Sequence, residues 1–315
     1  MPPPDLLVTA ALPPFLYDPL KADYRCHDYY AASHKPGLLA AEGARIRGLV
    51  QGGHSATTPE LLDALPKLEI ISVFGVGYDG VPVDYCRKRG IKVTNTPDVL
   101  TEDVADVALG LILMTGRGFV RLDRFLRAGH WLQGGPELST RLGGQKVGIL
   151  GLGRIGKAIA RRVEALGMEV AYTGRSRQDV PYRYVPELKA LAAESDFLVV
   201  ASPGGAATRN LVDAGVLAAL GKKGIVVNIA RGSVIDEPAL VAALQAGTIK
   251  GAGLDVFADE PKGRCALLAM DNVVLLPHVG SATAQTRKAM GDLCKANLDA
   301  WFGTGKVLTL IPELA

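Results

Sequence analysis

The sequence predicts an α/β protein of two domains, each built on a parallel sheet. Three observations carry this expectation. A glycine-rich turn, Gly151-Leu152-Gly153-Arg154-Ile155-Gly156, stands between a strand-like and a helix-like pattern. Short continuous apolar runs alternate with helical segments along most of the chain. The length, 315 residues, favours two ordinary domains over a single large one.

The glycine-rich turn organises the rest. Lys146–Leu150 places Val147, Ile149 and Leu150 in a buried strand, and Ile155, Ile159, Val163 and Leu166 then recur at helical spacing until Gly167 supplies a stop. In this setting Gly151 permits a tight turn, Gly153 lets the backbone approach a pyrophosphate, and Gly156 allows close helix–strand packing. The first amides and positive dipole end of the helix would face the phosphates. A glycine-rich turn of any α/β domain is the competing reading. Correct flanks on both sides favour the dinucleotide site.

Composition narrows the class. The chain is 48% hydrophobic and 21% charged with 37 glycines, which suits a packed enzyme and leaves little room for disorder. A net charge of +3, with no basic run longer than Arg87-Lys88-Arg89, argues against nucleic acid as partner. The opening MPPPDLLVTA lacks the basic start and apolar core of a secretory signal, and no 18-residue apolar stretch is present, so a cytoplasmic protein is expected. Cys26, Cys86, Cys265 and Cys294 are far apart and show no metal-ligand spacing; reduced structural thiols and no metal are expected.

Taken in order, apolar runs at Leu6–Ala10, Ile46–Val50, Ile70–Phe74 and Ile91–Thr94 predict four strands of a small α/β domain. Thr57-Thr58-Pro59-Glu60 predicts a helix start running through Leu65, with Thr57 and Glu60 at capping-box spacing. Phe74-Gly75-Val76-Gly77-Tyr78-Asp79-Gly80 closes the third run; taken alone it reads as a plain turn slightly ahead of an amide-rich ligand loop. Thr96-Pro97 marks a crossing between domains. Thr101 is expected to cap a helix whose apolar face (Val104, Val107, Ala108, Leu111, Ile112, Met114) is buried between domains, between subunits, or both. Gly116–Gly144 reads as an extended arm carrying Trp131 and Leu138, packed on a partner chain or lying as a surface loop.

Beyond the turn, Met168–Thr173, Phe197–Ala201, Ile225–Ile229, Gly253–Phe257 and Val273–Leu276 predict five further strands. Helices near Ala190, at Val216–Leu220 and at Pro238–Ala246 lie between most of them, which makes a doubly wound sheet covered on both faces. Thr283–Phe302 predicts a long amphipathic helix that returns the chain to the first domain.

Dinucleotide-binding sheets that take NAD place an acidic residue at the end of the second strand, on the adenosine ribose. Here that strand runs into Gly174-Arg175-Ser176-Arg177. A glycine leaves room for a 2′-phosphate and arginine offers it a planar fork, so NADP is expected over NAD, with an exposed basic turn as the alternative.

Arg231 follows one apolar strand, His278 another, and Glu260 lies shortly after a third, each on the edge where a cofactor would lie. A guanidinium can bind a carboxylate and polarise a carbonyl, an imidazole can give its proton to a forming alkoxide, and a carboxylate can orient that imidazole. Surface pairing and a capped turn explain each of them singly. The segments Asn228-Ile229-Ala230-Arg231-Gly232, Gly253-Leu254-Asp255-Val256-Phe257 with Glu260-Pro261, and Leu276-Pro277-His278-Val279-Gly280 together resemble the D-isomer-specific 2-hydroxyacid dehydrogenase family. The likeness runs from about Phe74 to the end of the chain.

That resemblance implies a Rossmann-type doubly wound sheet (residues 99–282) inserted into a smaller flavodoxin-like α/β substrate domain (residues 1–98 and 283–315). It implies Arg231, Glu260 and His278 as the catalytic set with His278 as acid/base, and Arg231 and His278 with the Val76 and Gly77 amides as substrate contacts. It places Thr101, Arg154, Ile155, Ser202, Pro203, Thr208, Ile229, Ala230, Asp255 and Gly280 around the cofactor, besides Gly151, Gly153, Gly156 and the Gly174–Arg177 turn. The family's members are usually homodimers. Within the family, GRSR, FGVGYDG and HVGSATAQTRKAM look like the glyoxylate/hydroxypyruvate reductase branch, which prefers NADPH. The chain departs from the family pattern at Ser202–Thr208 and at Cys265-Ala266.

The expected function is NADPH-dependent reduction of glyoxylate and hydroxypyruvate to 2-hydroxy acids, of D configuration where the product is chiral, in a cleft hinged near Pro97 and Ser281. Bulkier aryl or alkyl pyruvates are the alternative substrates, with Trp131, Leu138 and the Gly52-Gly53-His54 loop shaping the choice. A non-catalytic nucleotide sensor on the same fold is the rival from another class.

Overall fold

Two parallel sheets, each with its own core, organise the computed structural model, which describes residues 3–52, 55–262 and 266–315. Met1–Leu100 and Thr283–Ala315 make up the first unit, and Thr101–Ala282 the second.

In the first unit β1 (Asp5–Val8) leads through α1 (Pro14–Asp23) to β2 (Arg25–Asp28), then α2 (Lys35–Glu42), β3 (Ile46–Gly52), α3 (Pro59–Asp63), β4 (Ile70–Phe74), α4 (Val83–Arg89) and β5 (Lys92–Thr94). The sheet order β2-β1-β3-β4-β5, with every pair parallel, is the flavodoxin-like arrangement. Leu7, Leu49, Ile71 and Val93 pack on one face against Leu61, Leu62 and Leu65. The sequence pattern misses β2 because Arg-Cys-His-Asp carries no apolar run; as an edge strand it has little to bury. The helix start also differs from expectation. Thr58, not Thr57, caps α3 by accepting from the Leu61 amide, because the Thr57 hydroxyl donates to buried Gln51 Oε1 at 2.6 Å. That helix ends at Asp63, short of Leu65.

The second unit opens with α5 (Thr101–Gly116), in which Thr101 is the first helical residue rather than the residue before it. Val104, Ala108, Leu111 and Ile112 are buried as the pattern requires, whereas Val107 and Met114 are only half-buried. The expected arm contains a helix, α6 (Phe119–Arg127), entered through Gly118 at φ +64°; Phe119, Leu122 and Leu126 share one face of it. Beyond it a 3-10 turn, His130–Leu132, carries Trp131, 65% exposed, and the segment that follows without regular structure carries Leu138, 98% exposed.

Then follow β6 (Lys146–Leu150), α7 (Arg154–Ala165), β7 (Glu169–Thr173), β8 (Arg183–Tyr184), α8 (Leu188–Ala193), β9 (Phe197–Val200), α9 (Ala214–Leu220), β10 (Ile225–Asn228), α10 (Glu237–Gln245), β11 (Gly251–Leu254) and β12 (Val273–Leu275). All seven strands are parallel in the order β12-β11-β10-β9-β6-β7-β8, doubly wound with its switch point between β6 and β9. The two-residue β8 was too short to read. β11 ends three residues before the expected Phe257: the Asp255 amide still donates to Asn228 of β10, but its carbonyl and side chain serve the turn after β12. Gly253 lets α5 lie close on this sheet: a Cβ there would stand 3.0 Å from that of Leu111.

Finally α11 (Ala284–Thr304), capped by Thr283, returns the chain to the first unit. It runs along β4, where the Ser72 hydroxyl donates to the Cys294 carbonyl at 2.9 Å, and the segment after it bridges Leu310 to Thr94 on β5. Cys26, Cys86 and Cys294 are free thiols, and burial pushes Cys86 up to about 11 and Cys294 to about 12. Cys265 lies outside the described residues. Among those residues no helix is long and apolar enough to cross a membrane.

The joint of β6 and α7 is tight. A Cβ on Gly156 would sit 2.2 Å from the Gly151 carbonyl oxygen, a backbone atom that cannot step aside. Gly156→Ala should therefore lower stability by about 1–3 kcal/mol, read as a fall in thermal midpoint, and weaken dinucleotide binding with it.

Candidate active site

At the switch point the three glycines of the turn do different work. Gly151 holds φ +97°, and a Cβ there would lie 2.8 Å from the Ser202 amide nitrogen on the facing strand end. Gly153 precedes α7 without a side-chain cap and faces open space, with nothing within 4 Å of where a Cβ would stand. The first amides of α7 are thus presented over a hollow that a side chain at residue 153 would fill. Ser202 Oγ, buried beside it, has no hydrogen-bond partner. An open cradle at a helix start with an orphaned hydroxyl at its rim fits a dinucleotide pyrophosphate.

The basic turn after β7 is tied to the same place. Gln178 donates through Nε2 to the Leu152 carbonyl at 2.9 Å, and its amide donates to the Tyr172 hydroxyl at 2.6 Å. Between these anchors Gly174 has open space on its Cβ side, while Arg175, Ser176 and Arg177 are exposed. Among the described residues no carboxylate is paired with Arg175 or Arg177. No acidic side chain follows β7 where an adenosine ribose would be gripped.

The acid–base pair is built by two loops. Glu260 Oε2 lies 2.6 Å from His278 Nδ1, and Glu260 Oε1 accepts from the Phe257 amide at 2.7 Å. With both carboxylate oxygens engaged, the imidazole is held with its Nδ1 proton toward Glu260. His278 itself has φ +53°, a left-handed conformation that non-glycine residues avoid. Asp255 sustains it: its backbone carbonyl accepts from the His278 amide at 2.9 Å, and its two carboxylate oxygens accept from the Val279 and Gly280 amides at 2.7 and 2.8 Å. Only 1% exposed, Asp255 is pushed above the usual carboxylate range by burial, against the pull of those two amides.

Arg231 is placed by its neighbours. Asn228, 1% exposed at the end of β10, accepts from the Ala230 amide at 3.0 Å and donates to the Arg231 carbonyl at 3.0 Å, which closes the turn. Gly232 then packs on the Phe257–Ala258 backbone so closely that a Cβ would fall 1.9 Å from the Phe257 carbonyl carbon. The loop bearing Arg231 is thereby pressed on the segment that leads to Glu260. The Arg231 Nη1 donates to the Ala230 carbonyl at 2.7 Å.

Hydrogen bonds thus join Glu260, His278, Asp255 and Gly280 directly, while Arg231 and Ala230 reach the same segment through Gly232; Ile229 lies buried at the end of β10. Thr101, Arg154 and Ile155 stand in the first turns of α5 and α7. Thr208 donates its hydroxyl to the Pro203 carbonyl at 2.7 Å, folding the Ser202–Thr208 loop on itself. Val76 and Gly77 belong to the first unit, on the loop after β4, where Asn95 Nδ2 donates to the Val76 carbonyl at 2.9 Å. Gly53 and His54, expected to shape substrate choice, lie outside the described residues.

Sequence reasoning quoted Asn228 and Gly232 but gave neither a role. The legible signal was a polar residue ending an apolar strand and a glycine just past the arginine. It also missed Glu237, whose Oε2 accepts from the Ala258 amide at 2.9 Å and steadies the loop before Glu260. Asp255→Ala would remove the acceptors of two amides and free His278 from its conformation. Turnover should fall by about 10–100-fold, and backbone amide exchange at residues 278–280 should accelerate.

The sequence model of "D-isomer specific 2-hydroxyacid dehydrogenase, NAD binding domain" matches residues 109–280. A glyoxylate/hydroxypyruvate reductase of Arabidopsis thaliana is 45% identical over 305 residues, covering 96% of this chain and 97% of its own. A hydroxyphenylpyruvate reductase of Plectranthus scutellarioides is 44% identical, with the same shares covered. Among solved structures, an NADPH-dependent glyoxylate/hydroxypyruvate reductase of Sinorhizobium meliloti, in complex with NADP and malonate, superimposes with a TM-score of 0.91 at 46% identity over 99% of this chain and 97% of that one. With the matched domain carrying both the dinucleotide turn and the His–Glu pair, the chain belongs to the D-isomer specific 2-hydroxyacid dehydrogenase family, in its glyoxylate/hydroxypyruvate reductase branch, and is an NAD(P)-dependent enzyme.

Proposed function

We propose that the enzyme reduces small 2-keto acids, glyoxylate and hydroxypyruvate first, with NADPH, giving the D-hydroxy acid where the product is chiral. The observation that carries this reading is the imidazole of His278 fixed at 2.6 Å by Glu260, on the carboxyl edge of a dinucleotide-binding sheet. A bound NADPH supplies the hydride for the keto carbon. His278 gives the Nε2 proton to the oxygen that becomes the hydroxyl, and Glu260 offsets the charge of the imidazolium before that transfer. Arg231 draws the carbonyl and carboxylate oxygens of the substrate into line, and its positive charge stabilises the developing alkoxide. In the oxidative direction His278 takes the proton back. The Val76 and Gly77 amides are assigned the substrate carboxylate on the sequence resemblance.

NADPH is favoured because Gly174 leaves room where an acid would repel a 2′-phosphate, and two exposed arginines stand next to it. The Sinorhizobium relative is described as NADPH-dependent. Substrate size is the open choice, since the Plectranthus relative is named for an aryl pyruvate. A homodimer is the proposed assembly. The exposed Trp131, Leu132 and Leu138 give the arm apolar side chains for a second copy to cover.

Three outcomes follow. His278→Ala should lower kcat for glyoxylate by about 10²–10⁴-fold while leaving NADPH affinity within a few fold. In the wild type, kcat/KM at 340 nm should rank glyoxylate and hydroxypyruvate above phenylpyruvate; the reverse order would move the enzyme to aryl substrates. Arg175→Asp should shift the NADPH:NADH ratio of kcat/KM toward NADH by at least about tenfold, and an unchanged ratio would refute the assignment of that turn.

A further inference from the structure

We infer that Arg287 forms a carboxylate-binding subsite on the first unit, at the carboxyl edge of its sheet; the inference deepens the reading of a 2-keto acid substrate and rests on it.

The position of Arg287 is anomalous for a cation. On α11 the buried stripe runs through Met290, Gly291, Cys294 and Leu298, and Arg287 stands one turn before it on the same face. Helix and strand run antiparallel: Ser72 of β4 bonds Cys294, while Phe74, two residues further along the strand, meets Arg287, seven residues earlier on the helix. The guanidinium is therefore brought to the end of β4, with its carbon 5.9 Å from the centre of the Phe74 ring. Phe15 backs that ring, 6.4 Å away between centroids, and Gly291 makes room for Phe15: a Cβ there would come within 3.1 Å of it.

Burial and the helix dipole both oppose a charge at this place. Arg287 is in the first turns of α11, where the helix dipole is positive. It is half-buried, and desolvation alone pulls it below the usual arginine range. Among the described residues no carboxylate or carbonyl is paired with its guanidinium. Lys295 and Arg47, also half-buried in this unit, are matched by Asp23 and Asp299 and by Glu69. A partly desolvated cation without an internal partner is unfavourable unless an external anion completes it.

The carboxyl edge of a parallel sheet is where such folds take ligands, and Gly75-Val76-Gly77 follows Phe74 directly. A guanidinium offers a planar donor fork that suits a planar, two-oxygen group. A carboxylate fits that geometry, and the substrate class under proposal always carries one.

The experiment uses the full-length protein and oxalate, a non-reacting dicarboxylate, as probe. Oxalate should raise the thermal midpoint of the wild type, and Arg287→Met should abolish that rise. For glyoxylate, Arg287→Met should raise KM at least tenfold with kcat changed less than threefold and NADPH affinity unchanged. Arg287→Lys, which keeps the charge without the fork and folds if the Met variant does not, should recover part of the loss. Equal oxalate protection in wild type and variant, no protection in the wild type, or a KM within twofold of wild type would each overturn the subsite. Oxalate binding that depends on Arg287 in a protein that turns over no 2-keto acid would instead sink the reductase reading and leave the subsite standing.

Discussion

The buried carboxylate of Asp255 is the constraint on which the candidate site depends. Its two oxygens hold the amides of Val279 and Gly280, and its carbonyl holds that of His278. Together these bonds keep a non-glycine residue at φ +53°, a conformation that costs about 1–3 kcal/mol when nothing over-determines it. That conformation sets where the imidazole can point, and Glu260 then finishes the orientation from a different loop. An acid hidden from water thus does its work two steps from the chemistry, through backbone geometry.

Around this anchor, placement is achieved mainly by backbone against backbone. Gly232 on Phe257, Gly151 on Ser202 and Gly156 on Gly151 are all contacts at distances that no side chain permits. They press the end of β10 on that of β11, and the end of β6 on that of β9 and on the start of α7, without any side-chain chemistry. The polar groups that chemistry needs are then hung on a frame already fixed. Asn228 closes the Arg231 turn with two hydrogen bonds, and Glu237 braces the loop before Glu260.

Much of this was legible from residues alone. Buried parallel strands announce themselves as continuous apolar runs, so Ile70–Phe74 and Lys146–Leu150 were read to the residue. The Glu260–His278 pairing was anticipated from position past strand ends, reinforced by family likeness. What escaped was structure that carries no periodic signal. β2 and β8 are short and polar, and α6 hides in a segment rich in glycine and arginine. Thr57 could not be told from Thr58 as the cap, since the choice hangs on Gln51, a partner six residues away. Nor does any local pattern disclose that the Asp255 side chain serves residues 279 and 280. Such bonds link segments distant in sequence, and a single chain gives no covariation to reveal them.

The division of the first unit between the two ends of the chain bears on how the protein is made. β4 and β5 emerge from the ribosome early, yet the hydroxyl of Ser72 waits for Cys294 and the edge at Thr94 waits for Leu310. The second unit, contiguous in sequence, can close while its predecessor is still short of a covering helix. For the interval of translating roughly 180 residues, on the order of ten seconds or more at ordinary elongation rates, the nascent amino-terminal sheet presents an uncovered apolar face. Vectorial synthesis therefore separates the making of this sheet from its covering by the whole length of the second unit.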